Sequence, residues 1–303
     1  MLAAVAQMCS TANVSRNRSI ACDLIRRAAA VNSKLLLLPE ATDFIAPADQ
    51  VKHLSQTLEQ EGGFVESIRK QAKESGIWVG VGVHEKGPGD KCYNTNVLIN
   101  DRGDLVETYR KIHLFDVAIK GGMTILESNT TIPGNELRPP VSTPIGKVGL
   151  LTCYDCRFPE LSLSLRRQGS QIITYPSAFS VKTGKAHWGQ DSATPTQSGR
   201  AADDDSLGAE RADILLRTRA IETQCYVLAP AQAGTHAPGR QSYGHALIAS
   251  PWGTVLASTG TSEMAQDDEG VLVTAEIDLD LQASIRQEMP LWDQRRFDVY
   301  AEL

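Results

Sequence analysis

Three residues at the ends of three separate strand signals could together carry nucleophilic chemistry. Cys153 lies in Gly149-Leu-Leu-Thr-Cys-Tyr-Asp-Cys-Arg-Phe-Pro-Glu-Leu161. Residues 148–152 read as a buried strand. Pro159, followed by Glu160 and then Leu161, Leu163 and Leu165, reads as a helix with proline in its first turn. A cysteine at such a turn has its sulfur pushed out of the sheet toward the positive end of a helix, where thiolate is favoured. The same residue could be a buried structural thiol, the commoner fate of a free cysteine. A thiol nucleophile needs a proton acceptor, a group to hold the developing oxyanion, and access. Glu40 follows Pro39 at the end of the run 35–38, and Lys111 lies at the end of the strand signal running through Tyr109. Open α/β sheets place ligands beyond the carboxyl ends of their strands, so carboxylate, ammonium and thiol would meet along one edge. Taken singly, the glutamate is a capping or solvated acid and the lysine a solvated charge. Only jointly do the three make a site.

The elements that must position them alternate from the start. Strand signals fall at 2–7, 34–39, 77–83 and 94–98, and a turn at Asn100-Asp-Arg-Gly103 leads into a strand over 105–109. Helical periodicity covers 17–31 and 64–75. After Cys153 the pattern recurs, with helices over 159–168 and 213–223 and strands over 171–175, 226–231, 244–249 and 254–258. The run 34–39 is apolar throughout, as a strand covered on both faces requires. Two αβ halves sharing one core make a single domain over 1–303. One stretch, 189–212, is rich in Gly, Ser, Ala and Asp and has a single leucine. It cannot bury enough apolar surface to offset its ordering entropy, and is expected to be a mobile surface insertion.

The bulk numbers exclude several classes. The 303 residues are 42% hydrophobic and 22% charged, with a net charge of −6. That balance offers no electrostatic case for nucleic acid or an anionic membrane. No apolar run approaches the roughly 20 residues that span a bilayer. Residues 2–7 run too briefly for a signal peptide, and six dispersed cysteines suggest reduced thiols, so the expected compartment is the cytoplasm.

Leu37-Leu-Pro-Glu40, Tyr109-Arg-Lys111 and Cys153-Tyr-Asp-Cys-Arg-Phe-Pro-Glu160 resemble the three signatures of the nitrilase superfamily of carbon–nitrogen hydrolases. The resemblance runs from residue 2 to about 300, interrupted mainly at 189–212. It implies Cys153 as nucleophile, Glu40 as general base and Lys111 as oxyanion stabiliser, with Glu127 in Ile125-Leu-Glu-Ser128 as a second glutamate. It also implies a four-layer αββα sandwich, pairs of which associate across helices as homodimers. Acyl transfer to sulfur would free an amine and leave a thioester for water to hydrolyse, with no metal or organic cofactor.

Rival constellations fit less well. Cys153 and Cys156 form a C-x-x-C, yet open no thioredoxin-length βαβ unit and leave Glu40 and Lys111 unexplained. The dispersed histidines and the lack of a second cysteine pair argue against zinc. His113 or His187 could partner Cys153 in a dyad, but both read better as supporting residues. Gly80-Val-Gly82 lies inside a strand signal and is no dinucleotide fingerprint. A non-catalytic scaffold would have no reason to keep Glu40, Lys111 and Cys153 together.

Within the superfamily, Pro176-Ser-Ala-Phe179, Thr183-Gly-Lys-Ala-His-Trp188 and the segment 215–253 are similar to the Nit proteins. The likeness is nearest to the deaminated-glutathione amidase group, with the ω-amidases acting on α-ketoglutaramate second. Both substrates are small γ-amides of a 2-oxo diacid and carry carboxylates. Arg157, four positions after the nucleophile, is a candidate carboxylate partner, though it could equally pair with a neighbouring acid. Phe179, Thr183 and His187 are candidate pocket residues.

Overall fold

Alternation along two strands sets the layering. In β1 (Leu2–Met8) Ala3 and Val5 face one core while Ala4, Ala6 and Met8 face another. In β2 (Leu35–Leu37) Leu35 and Leu37 join the first core, and Leu36 joins the second together with the following Leu38. A strand buried on both faces must lie between two layers. The computed structural model describes residues 1–118, 124–181, 214–260 and 269–300. The insertion expected at 189–212 lies outside the described residues, as do Thr183 and His187.

Besides β1 and β2, the first sheet holds β3 (Trp78–Lys86), β4 (Cys92–Ile99), β5 (Leu105–Arg110), β8 (Thr131–Ile132), β13 (Ala231–Ala237), β14 (Arg240–Tyr243) and β17 (Val271–Glu276). The second holds β9 (Val141–Thr143), β10 (Gly146–Leu150), β11 (Ile172–Thr174), β12 (Tyr226–Ala229), β15 (Leu247–Ala249) and β16 (Val255–Ser258). A separate hairpin joins β6 (Asp116–Ala118) to β7 (Thr124–Leu126). Strands β1, β2 and β3 run parallel, as do β10, β11 and β12, so each sheet offers carboxyl ends on one edge.

The sheets pack face to face through Val5, Leu37 and Leu98 on one side and Val148, Leu150, Ile172, Leu228 and Ile248 on the other. Two helices, α1 (Val14–Ala30) and α3 (Phe64–Ser75), cover the outer face of the first sheet with Leu24, Ile25, Phe64 and Ile68. On the second sheet lie α4 (Pro159–Arg167) and α5 (Ile214–Thr223), through Leu165, Leu216 and Ala220. The layers therefore read helix, sheet, sheet, helix, the expected αββα sandwich. The short α2 (Ala48–Leu54) borders the site, and α6 (Leu279–Glu288) follows β17.

One expected strand needs correction, and the structure adds elements that periodicity did not announce. The strand expected over 226–231 is two strands in different sheets, because Pro230 cannot donate to a ladder and marks the crossing from β12 to β13. The helix expected over 159–168 is α4, and a 3₁₀ turn over Cys153–Arg157 lies between it and β10. The hairpin β13–β14, strand β17 and helix α6 give weak periodic signals and went unread; their pairing partners are far away in the chain.

Candidate active site

Glu40 leaves the first sheet just beyond β2, and its backbone is gripped on both sides. Gly82 of β3 passes so close that a Cβ there would fall 2.6 Å from the Glu40 Cα and 2.8 Å from the Pro39 carbonyl oxygen. This explains the glycine inside a strand, a residue with no dinucleotide to bind. Thr42 N donates to the Gly82 carbonyl at 2.8 Å, and the Gln232 side-chain amide donates to the Glu40 carbonyl at 3.0 Å. Lys111 continues β5, with its own N–H donating to the Asn94 carbonyl at 2.8 Å and its side chain almost fully buried.

These side chains converge. Lys111 Nζ lies 2.9 Å from Glu40 Oε1 and 2.9 Å from Glu127 Oε2. Asn94 Nδ2 bridges the two carboxylates, at 2.7 Å from Glu40 Oε1 and 3.0 Å from Glu127 Oε1. Backbone groups donate as well: Ala178 N to Glu40 Oε2 at 2.7 Å, and Phe115 N to Glu127 Oε2 at 2.7 Å. Every buried charge in this cluster is thus paired and hydrogen-bonded, the condition for keeping charge out of water.

Cys153 opens the 3₁₀ turn with φ of +46°. For a residue with a Cβ this left-handed conformation costs roughly 1–3 kcal/mol and needs a firm surround. Asp155, fully buried, provides it. Its Oδ2 accepts from Thr152 N at 3.0 Å and from the Tyr109 hydroxyl at 2.7 Å. Its Oδ1 faces both His113 N (3.2 Å) and His113 Nδ1 (2.9 Å). Tyr109 and His113 flank Lys111 in the chain, so one carboxylate ties the cysteine turn to the lysine segment. His113 also stacks on Phe158 at 3.6 Å. Its place is therefore beside Asp155, in a supporting position.

Burial acts to raise the Glu40 carboxyl, but the Lys111 ammonium and hydrogen bonds from Lys111, Asn94 and Cys153 outweigh it and hold the group below its usual range. Burial likewise opposes the Lys111 charge, yet Glu127 and Glu40 keep it well above the usual lysine range. The Cys153 thiol moves the other way. Burial raises it most and the Glu40 charge adds to that, overcoming Lys111 and the Ala178 N–H. The expectation of a helix-favoured thiolate is therefore corrected: the thiol rests protonated, hydrogen-bonded to an ionised Glu40. Cys156 is fully buried, and burial pushes its thiol up to about 12. Such a sulfur is a poor partner for disulfide exchange.

Glu40, Lys111, Glu127, Cys153, Arg157 and Phe179 all line one cavity of about 340 Å³. Asn94, His84 and Arg240, which the motifs did not single out, line it too. His84 faces Asp43 Oδ1 through Nδ1 at 2.9 Å and stacks on Phe44 at 4.1 Å. Arg157 lies over the Tyr154 ring at 5.5 Å. Asn94 had a signal, as a polar residue opening an apolar strand. Arg240 lies inside the β13–β14 hairpin, which has no clear periodic signal, and had none. No group of three or more His, Cys, Asp and Glu among the described residues could hold a metal ion.

The fold and this cluster define a carbon–nitrogen hydrolase. Residues 2–287 match the carbon-nitrogen hydrolase family, and the chain belongs to it. It is similar to the human deaminated glutathione amidase, 44% identical over 309 residues that take in 100% of this chain and 84% of that protein. Among solved structures, Caenorhabditis elegans NitFhit aligns with a TM-score of 0.84 and 37% identity, covering 99% of this chain and 66% of that one. Saccharomyces cerevisiae Nit3, a member of branch 10 of the nitrilase superfamily, aligns with a TM-score of 0.77 and 29% identity over 98% of this chain and 97% of its own.

Proposed function

We propose that the protein hydrolyses the γ-amide of a 2-oxo diacid, with deaminated glutathione as substrate and 2-oxoglutarate and Cys-Gly as products. The observation that carries the reaction class is the convergence of Cys153, Glu40, Lys111 and Glu127 in one cavity. The substrate rests on the 44% identity to an amidase of that name.

In this reading Glu40 takes the proton of the Cys153 thiol as the sulfur attacks the amide carbon. Negative charge develops on the carbonyl oxygen, and the Lys111 ammonium is already fixed to receive it. When the C–N bond breaks, Glu40 returns the proton to the departing amine and leaves a thioester on Cys153. Water then gives a proton to Glu40, its oxygen adds to the thioester carbon, and the thiol leaves reprotonated. Glu127 orients the lysine, and Asn94 keeps the two glutamates in register. The charges stay fixed while the substrate changes, which is how preorganisation lowers a barrier.

The test is kcat/KM on deaminated glutathione and on α-ketoglutaramate, with Cys153→Ala as control. A preference for deaminated glutathione is the expected result. An advantage for α-ketoglutaramate would move the protein to the ω-amidases, and inertness toward both would sink the substrate reading.

We also propose a homodimer across α4 and α5. Ile221 and Trp252 are exposed, and Gly253 packs directly against Ile221, so the turn after β15 and α5 form one apolar face. Sedimentation of the wild type at twice the monomer mass would agree with it. No described helix is long and apolar enough to cross a membrane.

A further inference from the structure

The floor of the cavity carries two carboxylates, Glu40 and Glu127, against one ammonium, Lys111. A substrate with carboxylates on both sides of its amide would be repelled there unless further cations met it. Two arginines line the cavity, and they come from different sheets. Arg157 follows β10 on the turn that carries the nucleophile. Arg240 opens β14 of the first sheet.

The bonding of Arg240 leaves part of its guanidinium unused beside the reacting groups. Its guanidinium donates to the Ala178 carbonyl at 2.6 Å and to the Gln241 carbonyl at 3.4 Å. Among the described residues it meets no carboxylate within ion-pair distance, whereas Arg110, Arg138 and Arg219 each hold one. Among the described residues Arg16, Arg18, Arg69 and Arg286 likewise donate only to neutral groups, but none of them lines the cavity. A guanidinium has more N–H donors than two carbonyls can use, arranged as a fork that matches a carboxylate. Among the described residues this cation makes no direct ion pair, only a longer-range attraction to Glu40 and Glu127, so part of its fork can take a ligand's carboxylate.

We infer that Arg240 is a specificity-determining residue that binds the carboxylate carried by the departing amine, while Arg157 receives the carboxylate of the 2-oxo acid end. The inference rests on the substrate reading above. It explains how one cavity distinguishes deaminated glutathione, with a carboxylate on each side of the scissile bond, from α-ketoglutaramate, whose departing group is ammonia. The two sheets would then each contribute one anchor, with Cys153 between them.

The experiment compares three substrates: deaminated glutathione, its analogue with the terminal carboxylate replaced by carboxamide, and α-ketoglutaramate. Arg240→Gln should lower kcat/KM on deaminated glutathione about 10- to 100-fold, the range of a charge-assisted hydrogen bond. The loss should appear mainly in KM, with a change of less than about fivefold on the other two. Arg240→Lys should restore part of it, since charge remains without the fork. An equal loss on all three substrates, carried in kcat, would overturn the inference. Arg240 would then be a support for Ala178, whose N–H holds Glu40. No loss on any would overturn it as well. A wild type inert on all three would instead remove the substrate reading beneath it.

Discussion

The floor and the rim of the cavity hold their charges in opposite ways. At the floor, Lys111 binds both Glu40 and Glu127, Asn94 bridges the two acids, and the Ala178 and Phe115 N–H groups donate to them as well. At the rim, Arg240 leans on carbonyls and Arg157 on the face of Tyr154. The floor is complete without substrate, as a group that must stabilise a transient charge has to be. If Arg240 binds substrate as inferred, a ligand's carboxylate completes the rim. Removing one of the paired charges of the floor should therefore damage chemistry and folding together, and removing a rim residue should damage affinity.

The largest effects belong to the floor. Cys153→Ala should abolish turnover and keep the fold, because in the proposed mechanism the thiol supplies the covalent step. A measurable residual kcat at the same thermal midpoint would break the assignment. Lys111→Ala should lose activity by orders of magnitude and also stability, since it leaves two buried carboxylates without their cation. Breaking such a pair costs about 3–5 kcal/mol, read as a lower denaturant midpoint. Glu40→Gln should cost as much activity with less stability, because the amide can keep some of the hydrogen bonds. If Lys111→Ala retained most activity while His113→Ala lost it, the cysteine–histidine dyad would replace this reading.

Asp155 comes next, and tests whether the floor depends on one tether. Asp155→Asn keeps size but gives a neutral acceptor to Tyr109, His113 and Thr152. The strained φ at Cys153 should then relax, lowering kcat about 10- to 100-fold with little change in KM. A change confined to KM would place Asp155 outside the positioning of the nucleophile.

What the sequence disclosed divides along the same line. Glu40, Lys111 and Cys153 each end a strand that its own residues announce, so local signals sufficed. Leu35 to Leu38, apolar throughout, even foretold a strand covered on both faces. Asp155 sat inside the quoted motif, but its role depends on Tyr109, 46 positions away. Arg240 depends on a hairpin whose strands cross to the other sheet at Pro230, where a continuous apolar run concealed the break. Residues that act through long-range pairing leave little trace in spacing. The direction of the Cys153 shift was misread for a related reason, because helix-end arguments omit the burial that the second sheet imposes.

Arg157→Ala probes the rim at its acyl end. It should cost roughly 1.5–3 kcal/mol in kcat/KM, the magnitude of a charge-assisted hydrogen bond. The loss should be shared by deaminated glutathione and α-ketoglutaramate, because both carry the 2-oxo acid. A loss on one substrate alone would reassign the end that Arg157 reads.

The smallest effect expected is a pH dependence at the boundary between floor and rim. His84 lines the cavity and is clamped by Asp43. Burial opposes its charge, but the Asp43 carboxylate outweighs burial, with Glu40 and Glu127 adding to it, and the net shift is upward. A raised folded value means the imidazolium persists above the usual histidine range and is lost as pH rises through that value. Its stabilising share is accordingly complete below the unfolded value and disappears on the alkaline side. A carboxylate-bearing substrate would then bind more weakly as pH increases, while Lys111 stays charged throughout. KM measured from about pH 6 to pH 9 should rise a few-fold in the wild type and stay flat in His84→Gln. A rise of equal size in the variant would assign the limb to another group and leave His84 as packing against Phe44.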